Sequence, residues 1–202
     1  MTAPAPSHAV RAVVVFDRDG TLNELALDEW TGRYESPYAA SDVRLIGGVA
    51  EGLSRLDELG VACFVASNQP AAAKGRTTLR NLAAVHQAVD SLLRASGPAP
   101  RRYGYCLHHP AGRGRLGRVC LCRKPKPGML RALTNGVAAP VRYLVGDSDA
   151  DIGAGNALGW RTIRVDNPRS AHRRRGQYAP AYSVPTTAHA MAAICHELTK
   201  PR

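Results

Sequence analysis

Residues 12–16 read Ala-Val-Val-Val-Phe, five apolar side chains with no polar face among them. A strand made from them needs cover on both sides, which is the situation of a parallel sheet lying between layers of helices. Segments 61–66, 102–106, 142–145 and 161–165 predict four further strands. The stretches between them carry helical patterns. Val49, Leu53, Leu56 and Leu59 recur at helical spacing before Gly60, which can stop a helix. Over 77–94, Leu79, Leu82, Val85, Val89, Leu92 and Leu93 keep one apolar stripe. Helices are also expected over 127–135, opened by Pro127, and over 150–158 and 186–198, with an edge strand at 182–184. Strands alternating with helices predict one α/β domain over residues 10–202, built on a single doubly wound, mostly parallel, Rossmann-like sheet.

Three stretches fall outside this alternation. Residues 1–9, with two prolines and small side chains, read as a disordered lead-in. Residues 23–45 show no sustained period and read as a long excursion over the carboxyl edge of the sheet. His172-Arg173-Arg174-Arg175-Gly176 offers nothing apolar to bury and reads as a mobile loop.

Composition narrows the function classes. No apolar run reaches the roughly 18 residues of a membrane span, and no basic region followed by an apolar stretch opens the chain, so the default location is the cytoplasm. The 27 basic residues outnumber 16 acidic ones, giving +11. The cations are mostly arginine, cluster at 101–102, 113–118 and 172–175, and have few aromatics between them. That pattern makes nucleic acid an unlikely partner and leaves an anionic small molecule. Five cysteines are too few and too unevenly placed for a disulfide scaffold.

Four strand-end segments carry chemistry. The first strand runs into Asp17-Arg18-Asp19-Gly20-Thr21, two carboxylates two residues apart, at the sheet edge where ligands gather. One can attack while the other takes and returns a proton. The second strand ends in Ser67-Asn68-Gln69, whose hydroxyl and amides can hydrogen-bond phosphoryl oxygens without adding charge. Arg123-Lys124-Pro125-Lys126-Pro127 places cations just before a proline-started helix, where an anion is welcome; Lys126 reads as solvated. Asp147-Ser148-Asp149-Ala150-Asp151 follows an apolar strand with three hard oxygen ligands of the kind magnesium takes, and Asp149 reads as a surface or helix-capping residue. A fifth cluster is softer. Cys106-x-His108, eleven residues and Cys120-x-Cys122 offer three thiolates and an imidazole, a closed tetrahedral set for structural zinc. His109 is a rival to His108.

Asp-x-Asp-Gly-Thr after an apolar strand resembles the first motif of the haloacid dehalogenase superfamily, and the later segments resemble its other three in order. The resemblance implies that Asp17 is a nucleophile and Asp19 a general acid/base, and that Ser67, Asn68, Gln69 and Arg123 hold the substrate's phosphate. It further implies that Lys124 offsets charge on the nucleophile, that Asp17, Asp147 and the carbonyl of Asp19 bind magnesium, and that Asp151 supports that shell. The zinc loop, with Cys-x-His-His-Pro and Cys-x-Cys-Arg-Lys-Pro-x-Pro-Gly-Met, is similar to the group holding heptose bisphosphate and histidinol-phosphate phosphatases, which lack a large cap domain. A phosphorylated sugar is then the expected substrate, histidinol phosphate or another small phosphomonoester the alternative, and a monomer the expected state. A reading of another class is a zinc-stabilised binding module without catalysis. Two departures stand out: Ser148 where heptose phosphatases often carry lysine, and Pro70-Ala71-Ala72-Ala73-Lys74-Gly75 in place of Ser-Gly-x-x-Arg-Gly.

Overall fold

The computed structural model describes residues 9–200; the lead-in expected at 1–9 lies outside them except for Ala9. Strand β1 (Ala12–Phe16) is followed by a hairpin of β2 (Ala26–Asp28) and β3 (Arg33–Glu35), then by helix α1 (Val49–Glu58) and strand β4 (Val61–Asn68). Helix α2 (Leu79–Ser96), β5 (Arg102–Cys106), α3 (Gly128–Leu133), β6 (Arg142–Gly146) and α4 (Asp149–Asn156) come next. The chain closes with β7 (Arg161–Val165), β8 (Tyr182–Val184) and α5 (Thr187–Thr199).

Six of these strands form one parallel sheet in the order β5-β4-β1-β6-β7-β8. The all-apolar β1 is central, and its alternate residues feed two cores. Val14 and Phe16 pack with Val49, Leu53, Leu56, Val85, Val89 and Met191 from α1, α2 and α5. Val13 and Val15 pack with Met129, Leu130, Leu133 and Ala154 from α3 and α4. Each fully buried side chain of this size contributes about 1.5–3 kcal/mol, so a polar residue anywhere in β1 is costly. Register fixes what lies at the edge: Phe16 pairs with Val65 of β4 and with Val145 of β6. The residues that follow, Asp17, Ala66 and Gly146, therefore emerge side by side.

The expected strands and helices are present, with ends that coincide or shift by one or two residues. The second strand runs on to Asn68, so Ser67 and Asn68 belong to it. The 23–45 excursion is more ordered than expected. It holds the antiparallel β2–β3 pair, turned by Thr31 and Gly32 N–H donations to the Asp28 carbonyl, and a short 3-10 helix, Ala40–Asp42. No described insertion is large enough for a separate cap domain, and no described helix is long and apolar enough to cross a membrane.

The 172–176 tract departs from the mobile loop that its composition suggests. Residues Pro168–Arg173 form a 3-10 helix capped by the Asn167 side chain. Arg174 Nη1 donates to the Asn167 carbonyl at 2.9 Å and to Ser170 Oγ at 3.0 Å. The N–H groups of Arg175 and Gln177 donate to Asp149 Oδ2 at 2.6 and 3.2 Å. Asp149 is thus buried under this turn and is not a surface residue. Charged partners supply the anchoring that apolar side chains could not.

Candidate active site

The carboxyl edge of the sheet opens into a cavity of about 410 Å3 whose lining includes Asp17, Asp19, Ser67, Asn68, Arg123, Lys124 and Ser148. Its cover comes from Glu35 and Ser36 after the hairpin and from His172, Arg173 and Arg175 in the turn after β7. Arg173 Nη2 meets Glu35 Oε2 at 3.2 Å and ties the two covers together.

Lys124 organises the floor. Its ammonium is buried, donates to Asp17 Oδ1 at 2.8 Å and to the Ala66 carbonyl at 2.5 Å, and pairs with the charge of Asp151, whose Oδ1 lies 2.5 Å away. Burial alone would lower its pKa, but the charges of Asp151 and Asp17 outweigh that and hold it well above the usual lysine range. Asn68 fixes its backbone, the amide donating to the Lys124 carbonyl at 3.0 Å and accepting from the Lys124 N–H at 3.1 Å.

The acids divide into two kinds. Asp17 is pushed above the ordinary carboxylate value, first by burial and then by the charge of Asp151, with Lys124 working against both. Asp147 is fully buried and neither of its oxygens has a hydrogen-bond partner; burial and then the charge of Asp17 push its pKa up to about 8. Asp151 is engaged, its Oδ2 accepting from the Ser148 N–H and hydroxyl at 3.1 and 2.5 Å. Oxygens of Asp17, Asp147 and Asp151 lie within 4.8 Å of one another. An orphaned buried carboxylate beside a second carboxylate is what a hard divalent cation would satisfy, so this donor set fits magnesium.

Asp19 behaves in the opposite way. Burial would raise its pKa, yet the net shift is downward, because Arg18, Asn23 and Gln69 all donate to it. Arg18 forms a two-pronged pair, Nε and Nη2 each 3.0 Å from a carboxylate oxygen, and lies over the Tyr105 ring at 5.4 Å. Gln69 Nε2 reaches Asp19 Oδ2 at 2.5 Å and Ser67 Oγ at 2.9 Å. Gln69 and Asn68 are therefore engaged with protein groups, while Ser67 and Asn68 both line the cavity. Gly20 closes the floor: at φ +89° its Cα faces Asp147, and a Cβ there would stand 2.2 Å from Asp147 Oδ2.

The second cluster sits at the end of β5. Its three sulfurs are 3.4–3.5 Å apart, and His108 Nδ1 lies 3.4 Å from Cys122 Sγ and 3.8 Å from Cys106 Sγ. A tetrahedron with Zn–S bonds of about 2.3 Å has edges of about 3.7 Å, so the four ligand atoms fit zinc. His109 spends Nδ1 on the Ala111 N–H at 3.1 Å and stands outside the group. Arg118 Nη2 lies 2.8 Å from His108 Nε2, a contact that ligation through Nδ1 would displace, since Nε2 then carries the proton. Arg123, next after Cys122, donates to the His108 carbonyl at 3.3 Å and reaches the cavity wall.

Sequence reasoning missed Arg18, Asn23 and Arg173. An arginine between two aspartates looks solvated, and the partner that buries Arg173 lies 138 residues away.

Residues 121–190 match the family model described as HAD-hydrolase-like. A parallel sheet carrying a strand-end Asp-x-Asp opposed by a lysine and a second acidic turn makes this a phosphatase of the haloacid dehalogenase class. The chain is 32% identical over 163 residues to the D-glycero-beta-D-manno-heptose-1,7-bisphosphate 7-phosphatase of Pseudomonas aeruginosa, covering 77% of this chain and 81% of that one. It is 29% identical over 197 residues to the enzyme of the same name from Pseudomonas putida, covering 92% and 98%. The D,D-heptose 1,7-bisphosphate phosphatase of B. bronchiseptica, solved with magnesium and phosphate, shares the fold with a TM-score of 0.75 at 23% identity, over 92% of this chain and 99% of that one. The chain belongs to the haloacid dehalogenase superfamily and, within it, to the family of these heptose bisphosphate 7-phosphatases.

Proposed function

We propose that the protein removes the C7 phosphate of D-glycero-D-manno-heptose 1,7-bisphosphate through an aspartyl-phosphate, in the synthesis of nucleotide-activated heptose. One observation carries the phosphatase chemistry: Asp17, held by Lys124, shares a cavity with Asp19, while the bare carboxylate of Asp147 lies beneath it. The relatives' names over most of the chain support the substrate.

Asp17, Asp147 and the Asp19 carbonyl would hold magnesium, with Asp151 behind them. The bound ion supplies positive charge that lets an anionic nucleophile approach an anionic ester. Asp17 attacks phosphorus in line, and the P–O ester bond breaks with its electron pair on the departing oxygen. Asp19 enters the cycle as the acid, its bonds to Arg18 and Gln69 exchanged for one to the leaving group, and gives that oxygen its proton. It then takes a proton from the water that hydrolyses the acyl phosphate and restores Asp17. Ser67 and Arg123 steady the phosphoryl oxygens, and Lys124 keeps Asp17 ionised and aimed. Zinc on Cys106, His108, Cys120 and Cys122 would fix the loop that carries Arg123 and Lys124. The same reading takes the enzyme to be a cytoplasmic monomer, which gel filtration of the native protein checks for the second part.

Phosphate release from both anomers of heptose 1,7-bisphosphate and from histidinol phosphate, with magnesium present, tests the assignment. The heptose compounds should be turned over best. Much faster hydrolysis of histidinol phosphate would overturn the substrate, and no release from any of them would overturn the reaction.

A further inference from the structure

Phosphoryl transfer spreads negative charge over three equatorial oxygens, and the enzyme must meet that charge with fixed donors. The lysine on the floor is already committed, hydrogen-bonded to Asp17 and the Ala66 carbonyl and ion-paired with Asp151. Ser67 is neutral, and Arg123, which gives one nitrogen to the His108 carbonyl, keeps its remaining donors for at most part of that charge.

Arg173 is placed to fill the gap. Its side chain is only 20% exposed and lines the cavity together with Asp17, Asp19 and Lys124. Its charge is felt by Asp147, Asp17 and Asp19. Glu35 holds it through Nη2 alone, and neither Nε nor Nη1 has a hydrogen-bond partner among the described residues. Those donors are not sealed from water, and they line the cavity where an anion can take the water's place. The planar fork of the guanidinium also matches two phosphoryl oxygens at once.

We propose that Arg173 is a catalytic residue whose guanidinium binds the non-bridging oxygens of the phosphoryl group during transfer to Asp17, with Glu35 holding it over the acids. The inference rests on the phosphatase reading above. Arg173 neither gains nor loses a proton: one P–O bond forms at Asp17, one breaks at the ester oxygen, and Asp19 supplies the proton to the leaving group.

The test uses the full chain with magnesium, turning over para-nitrophenyl phosphate, with orthovanadate as mimic of the five-coordinate phosphorus and inorganic phosphate as ground-state ligand. R173A is expected to lower kcat/KM on the order of 100-fold, as loss of one transition-state donor does elsewhere. Orthovanadate inhibition should weaken by a similar factor and inorganic phosphate inhibition by only a few-fold. R173K should recover part of the rate. A rate for R173A within threefold of wild type, or equal losses for vanadate and phosphate, would each overturn the proposal. If R173A does not fold, R173K decides: a loss of about tenfold supports the role of the fork, and an unchanged rate refutes it. Wild-type protein that hydrolyses neither this ester nor heptose bisphosphate would overturn the phosphatase reading itself; active wild type with an indifferent Arg173 overturns only this inference.

Discussion

Replacing Asp147 by asparagine should make the magnesium-free protein more stable in alkaline solution while abolishing its response to magnesium. The reason lies in the sign of the shift at Asp147, whose carboxyl is raised from 3.8 to about 8 by burial and by Asp17. Below the unfolded value both states hold the proton and nothing is lost. Between the two values the folded chain keeps a proton that the unfolded chain releases, so stability falls by about 1.4 kcal/mol per pH unit until the folded value is passed. Roughly four units correspond to a loss on the order of 6 kcal/mol, part of which belongs jointly to the neighbouring Asp17. An asparagine carries no such penalty, so Asp147→Asn should recover several kcal/mol at pH 8.5, about 10 °C in Tm for a chain of this size. Magnesium should do the same for wild type by neutralising the site, and its effect should grow with pH. Thermal melts from pH 4.5 to 9, with and without added magnesium, measure all of this. A variant that melts at or below wild type at pH 8.5 without magnesium, or that gains as much from magnesium as wild type does, would refute the reasoning.

Four further outcomes are expected. Asp17→Asn should eliminate phosphate release with the far-UV circular dichroism unchanged, and any substantial residual rate would remove Asp17 as nucleophile. Gly20→Ala forces a Cβ against Asp147 Oδ2 at φ +89°, so it should cost at least about 2 kcal/mol in urea melts and depress the rate with it; a variant of wild-type stability would contradict the packing. Cys122→Ser should reduce bound zinc from about one per chain in elemental analysis and lower Tm, and full zinc retention would exclude Cys122 as a ligand. Asn68→Ala removes both hydrogen bonds to the Lys124 backbone, a change worth about 1–3 kcal/mol, and should reduce kcat more than it raises KM; a pure KM effect would point to direct substrate contact instead.

The elements most legible from sequence are those whose burial is one-sided or complete. Strand β1 has no polar residue to hide, so its limits coincide with the structure, and the stripe of α2 places Val85 and Val89 in the core. Asp17 and Asp147 were also readable, because strand ends are where polar side chains can converge without breaking a core, and Lys124 because it stands just before a helix that starts near a proline. What stayed illegible depends on charges that bury one another. Arg18 is covered by Asp19 and Tyr105, and Asp149 by the backbone of Arg175 and Gln177. Nothing local marks such a pair, since each member alone looks like a solvated residue. The β2–β3 hairpin escaped for another reason: strands of three residues are too short for alternation to register.

The ammonium of Lys124 joins parts of the chain that fold far apart in sequence: the segment after β1, the end of β4 and the first turn of α4. Its position depends in turn on Asn68 and on a loop that follows the zinc ligands. An incompletely folded chain can thus possess every strand and every carboxylate and still be chemically silent, because Asp17 and Asp151 repel each other until the lysine docks between them. Hydrolytic competence therefore needs the loop that carries Lys124 as well as the sheet that carries the acids, and damage to either removes it.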